Sequence, residues 1–227
     1  MKDLEKSENL VDRVYHQILA LLHNRGLAGA EILNAANLAQ EFDVSRTPVN
    51  MALVRLESEG LIRKSPGKGW ITVPLTLENI KEIFDLKDVL EPLTAYKAAQ
   101  NISAEMAAEL LSIVREMERA SESECLERWL VADHRYHSLL HDVAGNSRLR
   151  QFQEQLNNQL YRLEAGHVAM GGQMATACEE HRLIAEAIAS RNPELAAENA
   201  LKHIRLLRER MVNVVKNVLI PFLGQEL

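Results

Sequence analysis

Cysteine, net positive charge and long apolar runs are all scarce in this 227-residue chain, and each scarcity removes a class of protein. The two cysteines, Cys125 and Cys178, stand far apart, with no second cysteine near either. That excludes a cysteine-rich zinc site and a disulfide scaffold, and fits a reducing, cytoplasmic setting. The opening MKDLEKSENL is charged throughout and lacks the apolar core of a signal peptide, while the longest apolar stretches are cut by Lys216 or Pro221. No membrane partner is expected. The formal net charge of −6 argues, for the chain as a whole, against a polyanionic partner. What is present, 47% hydrophobic and 26% charged residues, suits one large or two small globular domains rather than a disordered, collagen-like or repeat scaffold.

Proline and glycine divide the chain. Gly26, Gly29, Pro48, Gly60, Pro66, Gly67, Gly69 and Pro74 crowd residues 24 to 74, whereas long uninterrupted stretches follow, so a domain boundary is expected near Pro74, giving 1–75 and 76–227. In the first part, Val11, Val14, Tyr15, Ile18, Leu19 and Leu22 share one face of a helix from about Glu8 to His23. A second helix starts at Asn34 and runs to Phe42, and a third begins around Ser45 to Pro48 with Val49, Leu53, Leu56 and Leu61 inward. Two short β segments, Leu61–Lys64 and Trp70–Val73, flank a Ser-Pro-Gly-Lys-Gly turn. Three helices and a hairpin predict a winged helix-turn-helix. Beyond Pro74 the apolar period is 3.6, and breaks near Asn101, Ser121–Ser123, Gly145, Gly171–Gly172 and Asn192 delimit about six helices of an all-α antiparallel bundle. The expected class is mainly α.

The global charge hides a local one. Residues 1 to 75 hold nine basic and nine acidic side chains, so the second part carries the entire deficit. Within residues 44 to 73, Arg46, Arg55, Arg63, Lys64 and Lys68 outweigh Glu57 and Glu59, a surplus of three on the third helix and the hairpin. That surface can meet DNA. The first turn of the third helix offers the hydroxyls of Ser45 and Thr47, the guanidinium of Arg46 and the amide of Asn50. Arginine pairs with guanine and asparagine with adenine in the major groove. At the hairpin tip, Lys68 beside Gly69 can approach a phosphate or the minor groove. Alternatively, Ser-Arg-Thr-Pro is a helix start with a solvated arginine.

In the second part, four polar residues occupy positions where the helical period predicts apolar core. Asp133 and His137 stand at i and i+4 in the stripe Leu126, Leu130, Asp133, His137, Leu140, Ala144, so their side chains point the same way. His181 and His203 lie symmetrically about Asn192, so an antiparallel helical hairpin brings them level. One carboxylate and three imidazoles suit a divalent transition ion such as zinc, nickel or manganese. The competing explanations are hydrogen-bonded core histidines and a buried ion pair of Asp133, with His134 and His141 as competing ligands.

The run Val44-Ser45-Arg46-Thr47-Pro48-Val49, the stretch Ala52 to Ile62 ending in Glu59-Gly60-Leu61-Ile62, and Pro66-Gly67-Lys68-Gly69 resemble the signature of GntR-family transcription regulators, departing at Asn50 and Met51, where the family usually has arginine and glutamate. Residues 76 to 218 resemble the FCD domain of the FadR subfamily through Asp133-His134-Arg135-Tyr136-His137, Ala144-Gly145-Asn146, Glu180-His181-Arg182 and Ala200 to Ile204. The resemblance implies an effector-responsive DNA-binding regulator in which Asp133, His137, His181 and His203 hold a divalent ion and a small organic acid completes its coordination. It also places Lys87 where the family often has an arginine that pairs with the acid. A homodimer on a pseudo-palindromic operator is expected, because a two-fold operator needs paired recognition helices. The short Val73-Pro74-Leu75 connection favours mechanical coupling of the domains. Two other readings stand beside this one: a metal-dependent hydrolase using the Asp/His set, although no HExxH or nucleophile-elbow pattern is present, and a regulator whose effector is held without metal.

Overall fold

We describe the protein from a computed structural model that places residues 2–24, 32–67, 69–73, 76–169 and 174–219; for 2–9, 23, 24, 161–169, 214, 218 and 219 only the backbone is considered. Helix α1 (Lys2–Asn24) begins a turn and a half before the expected start and buries Val14, Tyr15, Ile18, Leu19 and Leu22. These recur at three- and four-residue spacing, so they form one stripe. Strand β1 (Ile32–Leu33) leads into α2 (Ala35–Glu41), whose N-cap is Asn34; its side chain accepts from the backbone N–H groups of Ala36 and Asn37, two donors the helix cannot satisfy itself. Asp43, with φ of 51°, makes the left-handed turn into α3 (Arg46–Ser58). Pro48, Val49, Ala52, Leu53 and Leu56 of α3 close onto α1.

Strands β2 (Ile62–Ser65) and β3 (Gly69–Thr72) form the expected hairpin. Gly67 and Gly69, at φ of 73° and 90°, supply the left-handed backbone its turn requires, and a Cβ on Gly69 would stand 3.2 Å from the carbonyl of Leu33. Lys68 at the tip, the Pro74-Leu75 connection and the Gly171-Gly172 break lie outside the described residues. The hairpin has a third partner that periodicity did not reveal. β1 pairs antiparallel with β3, giving the order β1-β3-β2 with Ile32 opposite Ile71 and Leu33 opposite Trp70.

The remaining helices form the bundle: α4 (Leu77–Asn101), α5 (Ala104–Glu122), α6 (Leu126–Ala144), α7 (Ser147–Ala169), α8 (Met174–Ala189) and α9 (Pro193–Val214), with a π-helical turn at Val215–Leu219. Their ends follow local chemistry. Thr76 and Asn79 make a reciprocal capping box, Ser103 accepts from the N–H of Met106, and Gly145 ends α6 at φ of 66°. Asn192 accepts from Leu195 with Pro193 in the first turn of α9. Between α5, α6 and α8 the core is Leu110, Ile113, Met117, Tyr136, Ile184 and Ile188; between α4, α7 and α9 it is Ile80, Phe84, Leu160, Ile204 and Met211. No helix among the described residues is long and apolar enough to cross a membrane.

One stripe differs from expectation. The face of α6 that enters the core is Trp129, Ala132, Tyr136, Leu140 and Val143, one position round from the stripe through Leu126, Leu130, Asp133 and His137. The two aromatic rings bury more apolar area than Leu126 and Leu130 can, so they take the centre. Asp133 and His137 are thereby left at its border, with 21% and 22% of their side chains exposed.

The two parts of the molecule touch along α7. The side-chain amide of Asn158 donates to the hydroxyl of Tyr15 at 3.3 Å, and that of Gln159 donates to the backbone carbonyl of Glu59, just past the end of α3, at 2.7 Å. Tyr15 in turn donates to the carboxylate of Glu59 at 2.5 Å. The end of the third helix is therefore fastened to the bundle.

Candidate metal centre and nucleic-acid interface

At the start of α3, Ser45, Arg46, Thr47 and Asn50 are all exposed, and the Ser45 hydroxyl makes no capping bond within the helix. Met51 and Val54 are also more than half exposed, an apolar pair beside the polar row. Four polar side chains and two apolar ones thus stand free on the face that a helix-turn-helix turns to the major groove. On the wing, Gly69 is exposed and Lys64 lies over the Trp70 ring at 5.1 Å.

Arg55 stands apart from the Arg46 row. Its guanidinium sits 3.9 Å from the Tyr15 ring centroid and bonds Asp12 at 2.9 Å and Glu59 at 3.2 Å. Its charge is balanced inside the winged-helix part.

In the bundle, α6 and α8 bring three donors together. Asp133 Oδ1 lies 3.4 Å from His181 Nε2 and 3.8 Å from His137 Nε2, and the two Nε2 atoms are 3.4 Å apart. Within this set every ligand atom is within 4.8 Å of the others. A tetrahedral ion with ligand bonds of about 2.1 Å separates its donors by about 3.4 Å, so the spacing fits such an ion. His203 on α9 adjoins the set, its ring centroid 4.7 Å from that of His181. The antiparallel α8–α9 pair does bring these two imidazoles level.

Surrounding groups fix which nitrogen is free on two of the three rings, His181 and His203. His181 donates its Nδ1–H to the carbonyl of Ala177 at 2.7 Å, which leaves a lone pair on Nε2 facing Asp133 and His137. The Nδ1 of His203 is bonded to Glu180 at 2.7 Å, so Nε2 is its remaining donor. Glu180 is itself gripped by Arg210 through both guanidinium nitrogens at 2.8 and 2.7 Å. Burial alone would raise the pKa of Glu180, but the bonds from Arg210 and His203 hold it at about 2, so it is a carboxylate throughout the physiological range.

Burial pushes the pKa of His137 down to about 3, and burial together with the neighbouring His203 and His137 puts His181 well below its ordinary value. Both rings are neutral at neutral pH and present lone pairs. Two neutral imidazoles and a carboxylate at 3.4–3.8 Å from one another are the kind of donor set that a divalent ion can occupy.

Lys87 is not an open ammonium. It is 2% exposed, bonded to Glu91 at 2.8 Å and to the amide oxygen of Asn157 at 2.5 Å. Burial of Glu91 opposes its ionisation, yet Lys87 above all, with His137 contributing, keeps its pKa at about 2. His141, on the next turn from His137, is 95% buried, and its Nε2 has no hydrogen-bond partner. His134 is exposed.

Sequence reasoning passed over Glu180, Arg210, Ala177, Glu91 and Asn157. Glu180 stood next to His181 in the Glu-His-Arg run, and Arg210 lies two turns beyond His203 on one face of α9, so a search for partners of the histidines could have reached both. Glu91 is one helical turn from Lys87, a spacing that signals an ion pair. Asn157 had no local signal.

Comparison with known proteins points the same way for both parts. Residues 82–206 match the FCD domain family, and residues 10–71 match bacterial regulatory proteins of the gntR family. Over 94% of this chain and 96% of the relative, it is 25% identical to the HTH-type transcriptional regulator YdhC of Bacillus subtilis. It is 28% identical to the Uxu operon regulator of Haemophilus influenzae, over 90% of this chain and 84% of that one. Among solved structures, McbR/YncC of E. coli shares the fold with a TM-score of 0.77 at 19% identity, covering 90% of this chain and 96% of its own. A GntR regulator from Rhodococcus sp. RHA1 follows with a TM-score of 0.69 at 19% identity, covering 89% and 97%.

Proposed function

The chain belongs to the GntR family of bacterial regulatory proteins, with an FCD domain behind the DNA-binding one, and from that premise we propose how its DNA binding is governed. It is a DNA-binding transcription regulator answering to a small-molecule effector, and not an enzyme; the hydrolase reading is set aside by the family. In our reading, residues 1–75 bind DNA and 76–227 sense the effector and dimerise, in the cytoplasm.

Asp133, His137, His181 and His203 hold a divalent transition ion, and the effector is a small organic acid whose carboxylate takes an open position on it. The observation that carries this is the set of three donor atoms at 3.4–3.8 Å, made of two neutral imidazoles and a carboxylate. Zinc, nickel and manganese all accept these ligands. Ala177 and Glu180 orient His181 and His203, as partners of metal-bound imidazoles do. Lys87 contributes to effector binding through its pair with Glu91 and Asn157, which sets the charge beside His137. The reading without metal requires the same nitrogens to bond an effector directly.

On DNA, Arg46 and Asn50 read bases, Ser45 and Thr47 bond bases or phosphates, and Lys68 with Gly69 brings the wing to the backbone. Arg55 serves by steadying α3 against α1. A homodimer presents two such helices to a pseudo-palindromic operator; the exposed stripe Leu86, Val89 and Leu93 on α4 supports a partner surface there. The test of the metal is elemental analysis of the purified protein and of His181→Ala and His203→Ala. We expect near-stoichiometric metal in the parent and loss in both variants. Full occupancy in both variants contradicts the assignment.

A further inference from the structure

A cavity of about 930 Å³ lies between the winged-helix part and the bundle. Tyr15, His16, Leu19 and Ala20 of α1 form one wall. The other is α6, from Leu126 to His141, closed along one side by Arg150, Glu154, Asn157 and Asn158 of α7. The sixteen residues from Leu126 to His141 span about 22 Å of helix, so the cavity is elongated.

Its two ends differ. At one end stand His137, which is part of the donor set, and His141, whose buried Nε2 has no partner. A nearly fully buried ring nitrogen without a hydrogen bond costs on the order of 1 kcal/mol or more unless something bonds it. Toward the other end of α6 the wall is Leu126, Leu130 and Val131, and α1 adds the apolar Leu19 and Ala20 to the lining. Of the two wall carboxylates, Glu154 is paired with Arg150 at 2.6 Å, and Glu127 stands at the start of α6, about 15 Å along the helix from His137.

We propose that this cavity is part of the effector site and takes a carboxylic acid with an extended apolar body, its acid end at His137 and His141 and its body between α6 and α1. The proposal rests on the reading of the bundle as an acid sensor and adds that the ligand touches the DNA-binding part directly. Tyr15, Arg55 and Asn158 all line this cavity and belong to the junction in which Tyr15 joins Asn158 to Glu59 at the end of α3. An occupant therefore bears on the junction that fixes the third helix, and a ligand that fits one position of that junction better than another shifts the DNA-binding equilibrium. No long relay is required.

The experiment is calorimetric titration of the full-length zinc-loaded protein with acetate and with octanoate, repeated on Ala20→Trp and Val131→Trp. Both positions are exposed, so an indole there fills the cavity from its open side without entering a core, and unchanged thermal melting checks this. Each buried methylene strengthens binding by roughly fourfold. We expect octanoate to bind at least tenfold more tightly than acetate to the parent, and either substitution to remove that preference while leaving acetate binding unchanged. Octanoate is also expected to alter operator affinity in the parent and not in Ala20→Trp. If both acids bind with equal strength, or if neither substitution changes their ratio, the ligand stays within the bundle and the proposal is wrong while the acid-sensor reading stands. If neither acid binds, both fall.

Discussion

The two functional regions use polar side chains in opposite ways. At the start of α3 the polar groups proposed to meet DNA are exposed, whereas in the bundle the donor set lies among α6, α8 and α9, with His181 and His203 each turned by a specific neighbour. Water solvates the first set until DNA replaces it. In the second set His181 and His203 are almost fully buried while Asp133 and His137 keep about a fifth of their surface exposed, so the donors are held close together at the edge of the core, where a cation can complement them. Reading DNA depends on what is left free; sensing depends on what is held.

That contrast can be broken at the held end with the largest effect. Removing a ligand by His181→Ala is expected to weaken metal binding by at least about 100-fold, more than the loss of a supporting partner costs. Chelator competition measures it. Glu180→Gln keeps the ligands but loosens His203 and frees Arg210, and should cost about 10- to 100-fold in the same assay. An unchanged affinity would mean that the Glu180 carboxylate does not orient the site.

At the exposed end the effects are of similar size and differ in kind. Arg46→Ala should cost about 1–3 kcal/mol on the operator and little on random DNA, while Lys68→Ala weakens both evenly and lowers the salt slope by about one. Equal loss on both DNAs for Arg46→Ala would remove its base-reading role. A further effect is a pH dependence of stability. Glu91 is held at about 2, below its ordinary 4.5, so its contribution is complete above about pH 4.5 and is lost as the pH falls toward 2. Glu91→Gln, followed by thermal melting from pH 6 to 3, should flatten that decline.

The sequence made the two regions legible to different degrees. The third helix and wing were readable because Ser45 to Asn50 and Pro66 to Gly69 are contiguous, and their turn chemistry dictates their conformation. β1 escaped because two residues cannot show a period of two, and its pairing with β3 is set by a partner nearly forty residues away. The donor residues were visible as polar interruptions of apolar stripes, yet the stripe on α6 was one position off. A period of 3.6 allows two adjacent faces, and only the packing of Trp129 and Tyr136 chooses between them. The holds on the site were invisible for a related reason: Arg210 meets Glu180 and Asn157 meets Lys87 across helices, where chain spacing carries no signal.

The most direct test of the central claim is anomalous diffraction from crystals of the metal-loaded protein at the metal absorption edge. The account predicts one peak in the bundle about 2.1 Å from Asp133 Oδ1 and from the Nε2 atoms of His137 and His181, with His203 completing the protein ligands. A peak elsewhere, or none at that point in protein shown to contain metal, would contradict it.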